Sequence, residues 1–255
     1  MSVDGFLQHV ARVLVRRDRS GRPLDRFHTM STKNQVAEAL RWLERHGTKK
    51  NRDGMARYAI VAPKAYGVSV ADVRRLGKQL GRDHALAAAL WNSGWYEARL
   101  LASFVEDPAL LTVTQMNRWA KDFDNWAVCD TVCFHLFDKS PLAWGRIARW
   151  SGATRELEKR AGFALLASVA LHDKTAQDAP FLDALSLVTR EAHDGRNFVK
   201  KGVSWALRGI GHRSASLRTA SLAVARELAA SDDASERWIG KDALRDLTRP
   251  AKPRH

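Results

Sequence analysis

The chain has 255 residues, of which 45% are hydrophobic and 27% charged, and these values exclude wholesale disorder and indicate a folded globular protein. Its formal net charge is +14, which predicts a polyanionic partner, although a membrane surface, an acidic protein or RNA also suits a basic surface. No stretch is apolar enough to cross a bilayer, and Asp4 and His9 interrupt the first apolar run where a signal peptide needs continuity, so we expect a cytoplasmic protein.

Apolar residues recur at helical spacing almost throughout the chain, and strand-like alternation is scarce. The first half predicts a helix over Val3–Arg16, a polar loop over Arg17–Pro23, a helix from the Ser31-Thr32 cap to His46-Gly47, a basic loop over Thr48–Asp53, a helix from Val70 after the Ser69 cap, and helices over His84–Trp91 and Trp95–Val105. The second half predicts a turn at Asp107-Pro108, a helix capped by Thr114, one capped by Asp124 or Asn125 that runs through Phe137, and one from Ser140-Pro141 to Ser151-Gly152. Five long helices follow, over Arg155–His172, Pro180–His193, Arg196–Gly211, Ser214–Ala230 and Ala234–Leu247. We expect the tail over 249–255 to be disordered.

Many helices of similar length with short links are typical of antiparallel pairs stacked as an α-solenoid. No exact repeat is visible, so degenerate HEAT-type pairs fit better than a consensus array, and an irregular helical bundle is the alternative. We therefore predict one all-α domain over 1–248, in which 1–52 forms an N-terminal extension or cap. A solenoid offers a concave face, and a basic concave face suits a rod-like polyanion.

Cys129 and Cys133 are four residues apart and share one face of a predicted helix. No metal-ligand set accompanies them, so we interpret them as small core residues in a reducing compartment and expect no metal site. The chain has no glycine-rich phosphate loop and no Gly-x-Ser-x-Gly elbow, and we expect no cofactor.

The segment Trp126–Phe137 is apolar except for one acid, Asp130. A helix that is apolar all round is buried, and an isolated carboxylate there is costly unless something compensates it. A neighbouring arginine or a helix N-terminus is the structural explanation. The functional one is that Trp126 and Asp130, one turn apart, present an aromatic face beside a carboxylate.

A helical wheel of Phe198–Arg213 separates an apolar stripe from a basic face. Trp205 lies on the basic face with Lys201, Arg208 and His212, where a core tryptophan is not expected. An aromatic ring among cations is typical of surfaces that contact nucleotides. The alternative is a tryptophan packed under a neighbouring helix.

Two weaker candidates complete the set. Arg160 opens the apolar run that follows it, where it can clamp a phosphate or pair with Asp130. Tyr58 follows the basic loop that contains Lys49 and Lys50, and it can line the same groove as Trp126 and Trp205.

The sequence resembles the AlkD-like DNA alkylation repair family, bacterial DNA glycosylases built from HEAT-like repeats. The resemblance runs from about Asp53 to Arg213, and its short pieces occur in the family's order. They are Met55-Ala56-Arg57-Tyr58, Tyr66-Gly67, His84–Trp91, Glu97-Ala98-Arg99, Asn125-Trp126-Ala127-Val128-Cys129-Asp130, Lys159-Arg160-Ala161, Phe198-Val199-Lys200-Lys201-Gly202 and Trp205-Ala206-Leu207-Arg208.

The resemblance implies hydrolysis of the N-glycosidic bond of cationic N3- and N7-alkylated purines, without base flipping. It implies that Asp130 is the active-site carboxylate, that Trp126 and Trp205 flank the lesion, that Arg160 supports the backbone and that Tyr58 lies nearby. The link between Asp130 and Arg160 is shorter than in the family pattern. The expected DNA contacts are Lys49, Lys50, Arg57, Lys200, Lys201, Arg208 and Arg213.

We therefore expect a monomeric, nucleoid-associated bacterial protein whose partner is double-stranded DNA with alkylated bases. Two alternatives remain at this point. One is a non-catalytic DNA-binding solenoid that prefers damaged or branched DNA, and the other is a protein-interaction module without a nucleic-acid role.

Overall fold

The computed structural model describes residue 27 and residues 29–249, and across them it contains thirteen α-helices, three short 3-10 helices and no strand. The predicted first helix, the loop after it and the tail beyond 249 lie outside these residues. The α-helices are α1 (Thr32–His46), α2 (Lys49–Gly54), α3 (Val70–Leu80), α4 (His84–Asn92), α5 (Tyr96–Val105), α6 (Val113–Lys121), α7 (Trp126–His135), α8 (Ala143–Trp150), α9 (Glu156–His172), α10 (Ala179–Glu191), α11 (Asn197–Gly211), α12 (Ala215–Ala230) and α13 (Ala234–Leu247). The 3-10 helices are Met55–Tyr58, Pro108–Leu110 and Phe137–Lys139.

The helices divide into two compact units. The first unit comprises residues up to Ala59 together with Pro63–Asp107, and it holds α1 to α5. Within it, α5 packs against α3 and α4, and α1 packs against α4. The second unit comprises Ile60–Ala62 and the chain from Pro108 onward, and it holds α6 to α13.

Helix α9 is the centre of the second unit. It packs against α7, α8 and most extensively α11, which in turn contacts α12 and α13. Every residue from Lys159 to Ala170 is buried. A helix buried on all faces needs partners for its charged residues, and Lys159 and Arg160 at its first turns both have them.

Side-chain caps fix most of the helix starts. Ser31, Ser69 and Asn125 each accept a hydrogen bond from the backbone N–H three residues later. These three were among the predicted caps, with Asn125 one of two options at its helix, and the corresponding helix starts are confirmed. The last two helices also begin and end within a residue of their predicted bounds.

Three sequence predictions about helix bounds are wrong. The expected loop Thr48–Asp53 is the short helix α2, because the Thr48 hydroxyl caps the N–H of Asn51 and the Asn51 amide donates to the carbonyl of Gly67. The cap of α6 is Thr112 and not Thr114, because the Thr112 hydroxyl accepts a hydrogen bond from the N–H of Gln115. Helix α7 ends at His135, and Phe137 lies in the 3-10 helix that follows.

Helices α12 and α13 approach closely at Gly240. A Cβ atom added there would lie 2.2 Å from the backbone nitrogen of Ala229 and 2.6 Å from the carbonyl oxygen of Ala225. Only a residue without a side chain fits this contact. Gly240 therefore sets how near α13 lies to α12.

Among the described residues, no helix combines the length and the apolar character that crossing a bilayer requires.

Candidate functional site

Helix α7 carries Trp126, Cys129, Asp130 and Cys133 at the spacing of one helix face, and both cysteines and Asp130 contact α9. The Asn125 carboxamide oxygen accepts from the N–H of Val128 at 3.0 Å and fixes the start of the helix. Cys129 and Cys133 are free, buried and in contact with α9, where their thiols donate to backbone carbonyls at 3.6 Å. Their predicted packing role is confirmed.

Arg160 at the start of α9 pairs with Asp130. Its Nε donates to Oδ1 at 2.8 Å and its Nη2 to Oδ2 at 2.7 Å, while Nη1 donates to the carbonyl of Phe198 at 2.7 Å. The guanidinium therefore ties α7, α9 and α11 together. The side chains of Arg160 and Asp130 are 8% and 18% exposed, so the carboxylate keeps a path to solvent that the guanidinium largely lacks.

Burial and charge act on this pair in opposite directions. Burial raises the pKa of the Asp130 carboxyl above its ordinary value, and Arg160 offsets part of that rise. Burial alone would lower the pKa of Arg160, but the Asp130 charge outweighs it and raises the pKa of the guanidinium. The arginine is thus a fixed positive charge, and the carboxylate is held beside it.

Trp126 flanks the same guanidinium. The Arg160 Cζ lies 5.7 Å from the centroid of the Trp126 ring, within cation–π range. Trp126 itself is half-buried. Trp126, Asp130 and Arg160 lie next to one another. The sequence predicted this for Trp126 and Asp130, and pairing with Asp130 was one of the two roles considered for Arg160.

Trp205 on α11 lines a groove of about 420 Å³ with Asp130, Arg160, Lys201 and Arg208. Behind it, the Phe134 ring stacks at a centroid distance of 6.4 Å and an interplanar angle of 24°. Trp205 is therefore neither a core residue nor a free surface one. It is half-buried, it lines the groove, and its ring stacks against Phe134.

The predicted cations of α11 have different surroundings. Lys201 is exposed, and the Lys200 Nζ lies 5.0 Å from the centroid of the Trp238 ring. Arg208 is half-buried, and its Nε lies 3.5 Å from the Asp242 carboxylate.

Arg213 departs from the expectation of a DNA contact. Its side chain is 7% exposed, its guanidinium donates to the carbonyls of Ala170, Asp173 and Ala176, and it lies over the ring of Phe181. The guanidinium therefore satisfies backbone carbonyls at the end of α9 and in the loop after it, which is a structural role.

The remaining predicted residues belong to the first unit. Lys49 and Lys50 are exposed on α2, where Lys49 pairs with Asp53. Arg57 and Tyr58 are exposed on the 3-10 helix that follows, and Tyr58 is 69% exposed.

Sequence reasoning missed the contribution of α13. Trp238 and Asp242 line the groove together with Trp205. The signal was present, because Trp238 and Asp242 are one helical turn apart, as Trp126 and Asp130 are.

Comparison with known proteins gives a family and a fold. The sequence matches the family model described as "DNA alkylation repair enzyme" over residues 39–247. A solved structure described as "a new family of proteins related to the HEAT-like repeat DNA glycosylases with affinity for branched DNA structures" is similar, with a TM-score of 0.70 and 19% identity over 86% of this chain and 96% of that one. No curated protein matches the sequence. The predicted all-helical, HEAT-like fold is confirmed, while the basic concave face stays a prediction.

Proposed function

The chain belongs to the DNA alkylation repair enzyme family, and from this premise we propose that it hydrolyses the N-glycosidic bond of cationic N3- and N7-alkylated purines in double-stranded DNA. The product is an abasic site and a free alkylpurine. The observation that carries the proposal is the Asp130 carboxylate, held by Arg160 beside Trp126 and reachable from the groove that Trp205 lines.

The chemistry needs little from the protein. An N-alkylated purine is positively charged in the nucleotide, so it leaves as a neutral base when the bond between C1′ and the purine nitrogen breaks. The sugar then carries the positive charge until the oxygen of a water molecule bonds to C1′ and releases a proton. No strong general acid is required, and the ionisable residues that line the groove are two aspartates, two arginines and a lysine.

Asp130 is suited to the step at the sugar. A fixed carboxylate stabilises the developing positive charge and orients the attacking water. Each carboxylate oxygen has two lone-pair sites, so Asp130 can accept from Arg160 and still accept from water. The faces of Trp126 and Trp205 favour a cationic nucleoside by about 0.5–2 kcal/mol each.

The test is release of 3-methyladenine or 7-methylguanine from alkylated duplex DNA, followed by chromatography of the free base. Asp130→Asn keeps the shape of the side chain and removes its charge, so we expect a loss of at least a hundredfold, the size seen when one electrostatic stabiliser is removed. The matched control is Asp183→Asn, an exposed aspartate on α10 away from the groove, which should act as wild type. Equal inactivity of wild type and Asp130→Asn, with both folded, would refute the enzymatic proposal.

A second candidate is supported by the similar solved structure, whose description gives affinity for branched DNA. On this alternative the chain binds branched or damaged DNA without chemistry. Tight binding of a four-way junction, with no base released from alkylated DNA, would select it. A protein-interaction role predicts no DNA affinity, so a measured decline of log affinity with log salt would exclude that role.

A further inference from the structure

The groove beside Asp130 has a second aromatic wall that the proposed chemistry does not use. Trp238 of α13 is 37% exposed, and it lines the groove with Trp205 and Lys201. An exposed tryptophan in a groove with cations is a surface on which nucleotides stack.

The ring of Trp238 also holds a cation. The Lys200 Nζ lies 5.0 Å from its centroid, a cation–π distance that restricts an otherwise flexible ammonium group. The exposed Lys201 is the next residue on α11. The aromatic ring can contact the base or the sugar of one nucleotide. The two ammonium groups can contact the phosphate of the same nucleotide.

Asp242, one turn after Trp238, ties α13 to α11. Its Oδ2 accepts from the Ser204 hydroxyl at 2.6 Å and lies 3.5 Å from the Arg208 Nε, and its Oδ1 accepts from Arg245. The contacts of Oδ2 with Ser204 and Arg208 join α11 to α13, and the contact of Oδ1 with Arg245 lies within α13. The role of this pair of residues is binding, with Asp242 fixing the helix that carries Trp238.

We propose that Trp238 and Lys200 form a nucleotide-binding subsite next to the Asp130 site, in which Trp238 contacts the base or sugar of a flanking nucleotide and positions Lys200 on its phosphate. The inference rests on the DNA binding of the proposed function, but not on its chemistry. It makes α13 part of the DNA-binding surface.

The experiment measures affinity for an undamaged duplex by fluorescence anisotropy at several salt concentrations. We expect Trp238→Leu to weaken binding by about fivefold to a hundredfold, the range for loss of one aromatic–nucleotide contact. Trp144→Leu is the matched control, because Trp144 is half-buried on a helix of the second unit and lines a different groove, and it should bind as wild type. Lys200→Ala should reduce the slope of log affinity against log salt by about 0.9, the value for one phosphate contact.

A double-mutant cycle tests the pairing. If Trp238 positions Lys200, Lys200→Ala has a smaller effect in the Trp238→Leu background than in the wild type, whereas additive losses would overturn the proposal. Trp238→Phe keeps an aromatic ring and should retain most of the affinity, which guards against a folding defect in the leucine variant.

The binding experiment and the base-release experiment can fail independently of each other. Weakened binding by Trp238→Leu without any base release from wild type would support the subsite and refute the chemistry. Base release with unchanged binding in both Trp238→Leu and Lys200→Ala would do the reverse.

Discussion

Arg160 donates one hydrogen bond to each carboxylate oxygen of Asp130, from Nε at 2.8 Å and from Nη2 at 2.7 Å. The two residues come from α7 and α9, and the third donor of the guanidinium reaches the first turn of α11 through the carbonyl of Phe198. A bidentate contact fixes the plane of the carboxylate as well as its position. The acid that sequence analysis singled out is thus oriented by helices that are distant in sequence.

The pH profile of base release should follow Asp130. Because the proposed role needs the ionised carboxylate and burial raises its pKa, activity should fall on the acid side at a pH above the ordinary aspartate value of about 3.9. Arg160→Met removes the positive charge that offsets the rise in the pKa, so the acid limb should move to higher pH. Single-turnover rates from pH 4 to 8 give this directly, and an unmoved limb in Arg160→Met would contradict the assignment.

Trp205→Ala should lower the rate of base release by about twofold to thirtyfold, which corresponds to loss of one cation–π contact of about 0.5–2 kcal/mol. Phe134→Leu should have a smaller effect in the same direction, because Phe134 supports the Trp205 ring without lining the groove. Trp144→Ala serves as the control. Equal rates for wild type and Trp205→Ala under single-turnover conditions would remove Trp205 from the site.

The buried ion cluster around Lys159 should make stability depend on pH. Lys159 lies 2.6 Å from Glu191 and 3.0 Å from Asp194. For Asp194, a hydrogen bond from Arg196 is the largest cause that lowers the pKa, and Lys159 adds to it. For Glu191, burial alone would raise the pKa, but hydrogen bonds from Lys159 and Arg190 lower it.

Both folded-state pKa values therefore lie below the unfolded ones, so the stabilisation is present above about pH 4 and is lost as the pH falls further. Lys159→Met should lower the free energy of unfolding by about 3–5 kcal/mol at pH 7, because it leaves two buried carboxylates without one cation. The difference from wild type should shrink near pH 3.5, where the carboxyls of the unfolded chain take up protons. Urea titrations at both pH values, with the exposed Lys241→Met as control, test this, and equal losses at the two pH values would count against it.

Glu97 should be the main polar anchor of the first unit. Its buried carboxylate accepts from the backbone N–H groups of Tyr66, Gly67 and Val68 at 2.7–3.2 Å. Glu97→Gln puts an NH₂ group against at least one of these donors, which should lower the free energy of unfolding by about 1–3 kcal/mol. The exposed Glu227→Gln should leave it unchanged, and a silent Glu97→Gln in urea titration would show that the loop does not depend on the charge.

The helices were predictable from the sequence where periodicity and caps agree. Ser31, Ser69 and Asn125 each combine a side-chain acceptor with an apolar pattern that starts just after it, and the structure has helices there. Asp130 was also predictable as a buried charge that needs a partner, and Arg160 was one of the partners considered. What joined them was the packing of α7 on α9, which a pattern along one helix does not contain.

The errors have tertiary causes. Helix α2 buries no residue, so it has no apolar period, and its order comes from the contact of Asn51 with Gly67. Arg213 was predicted as one more surface cation, but its guanidinium donates hydrogen bonds to backbone carbonyls at the end of α9 and in the loop after it. Trp238 was overlooked because its importance depends on α13 lying beside α11.

Gly240 lies between Trp238 and Asp242 in the sequence, on the helix surface that touches the backbone of α12. Any side chain at this position pushes α13 away from α12 and carries both groove residues with it. We therefore expect the contact at Gly240, which lies between α12 and α13 and not in the groove, to control the width of the groove. If the groove binds DNA as proposed, substitutions that enlarge position 240 would change which DNA shapes it accepts while leaving every groove-lining side chain unchanged.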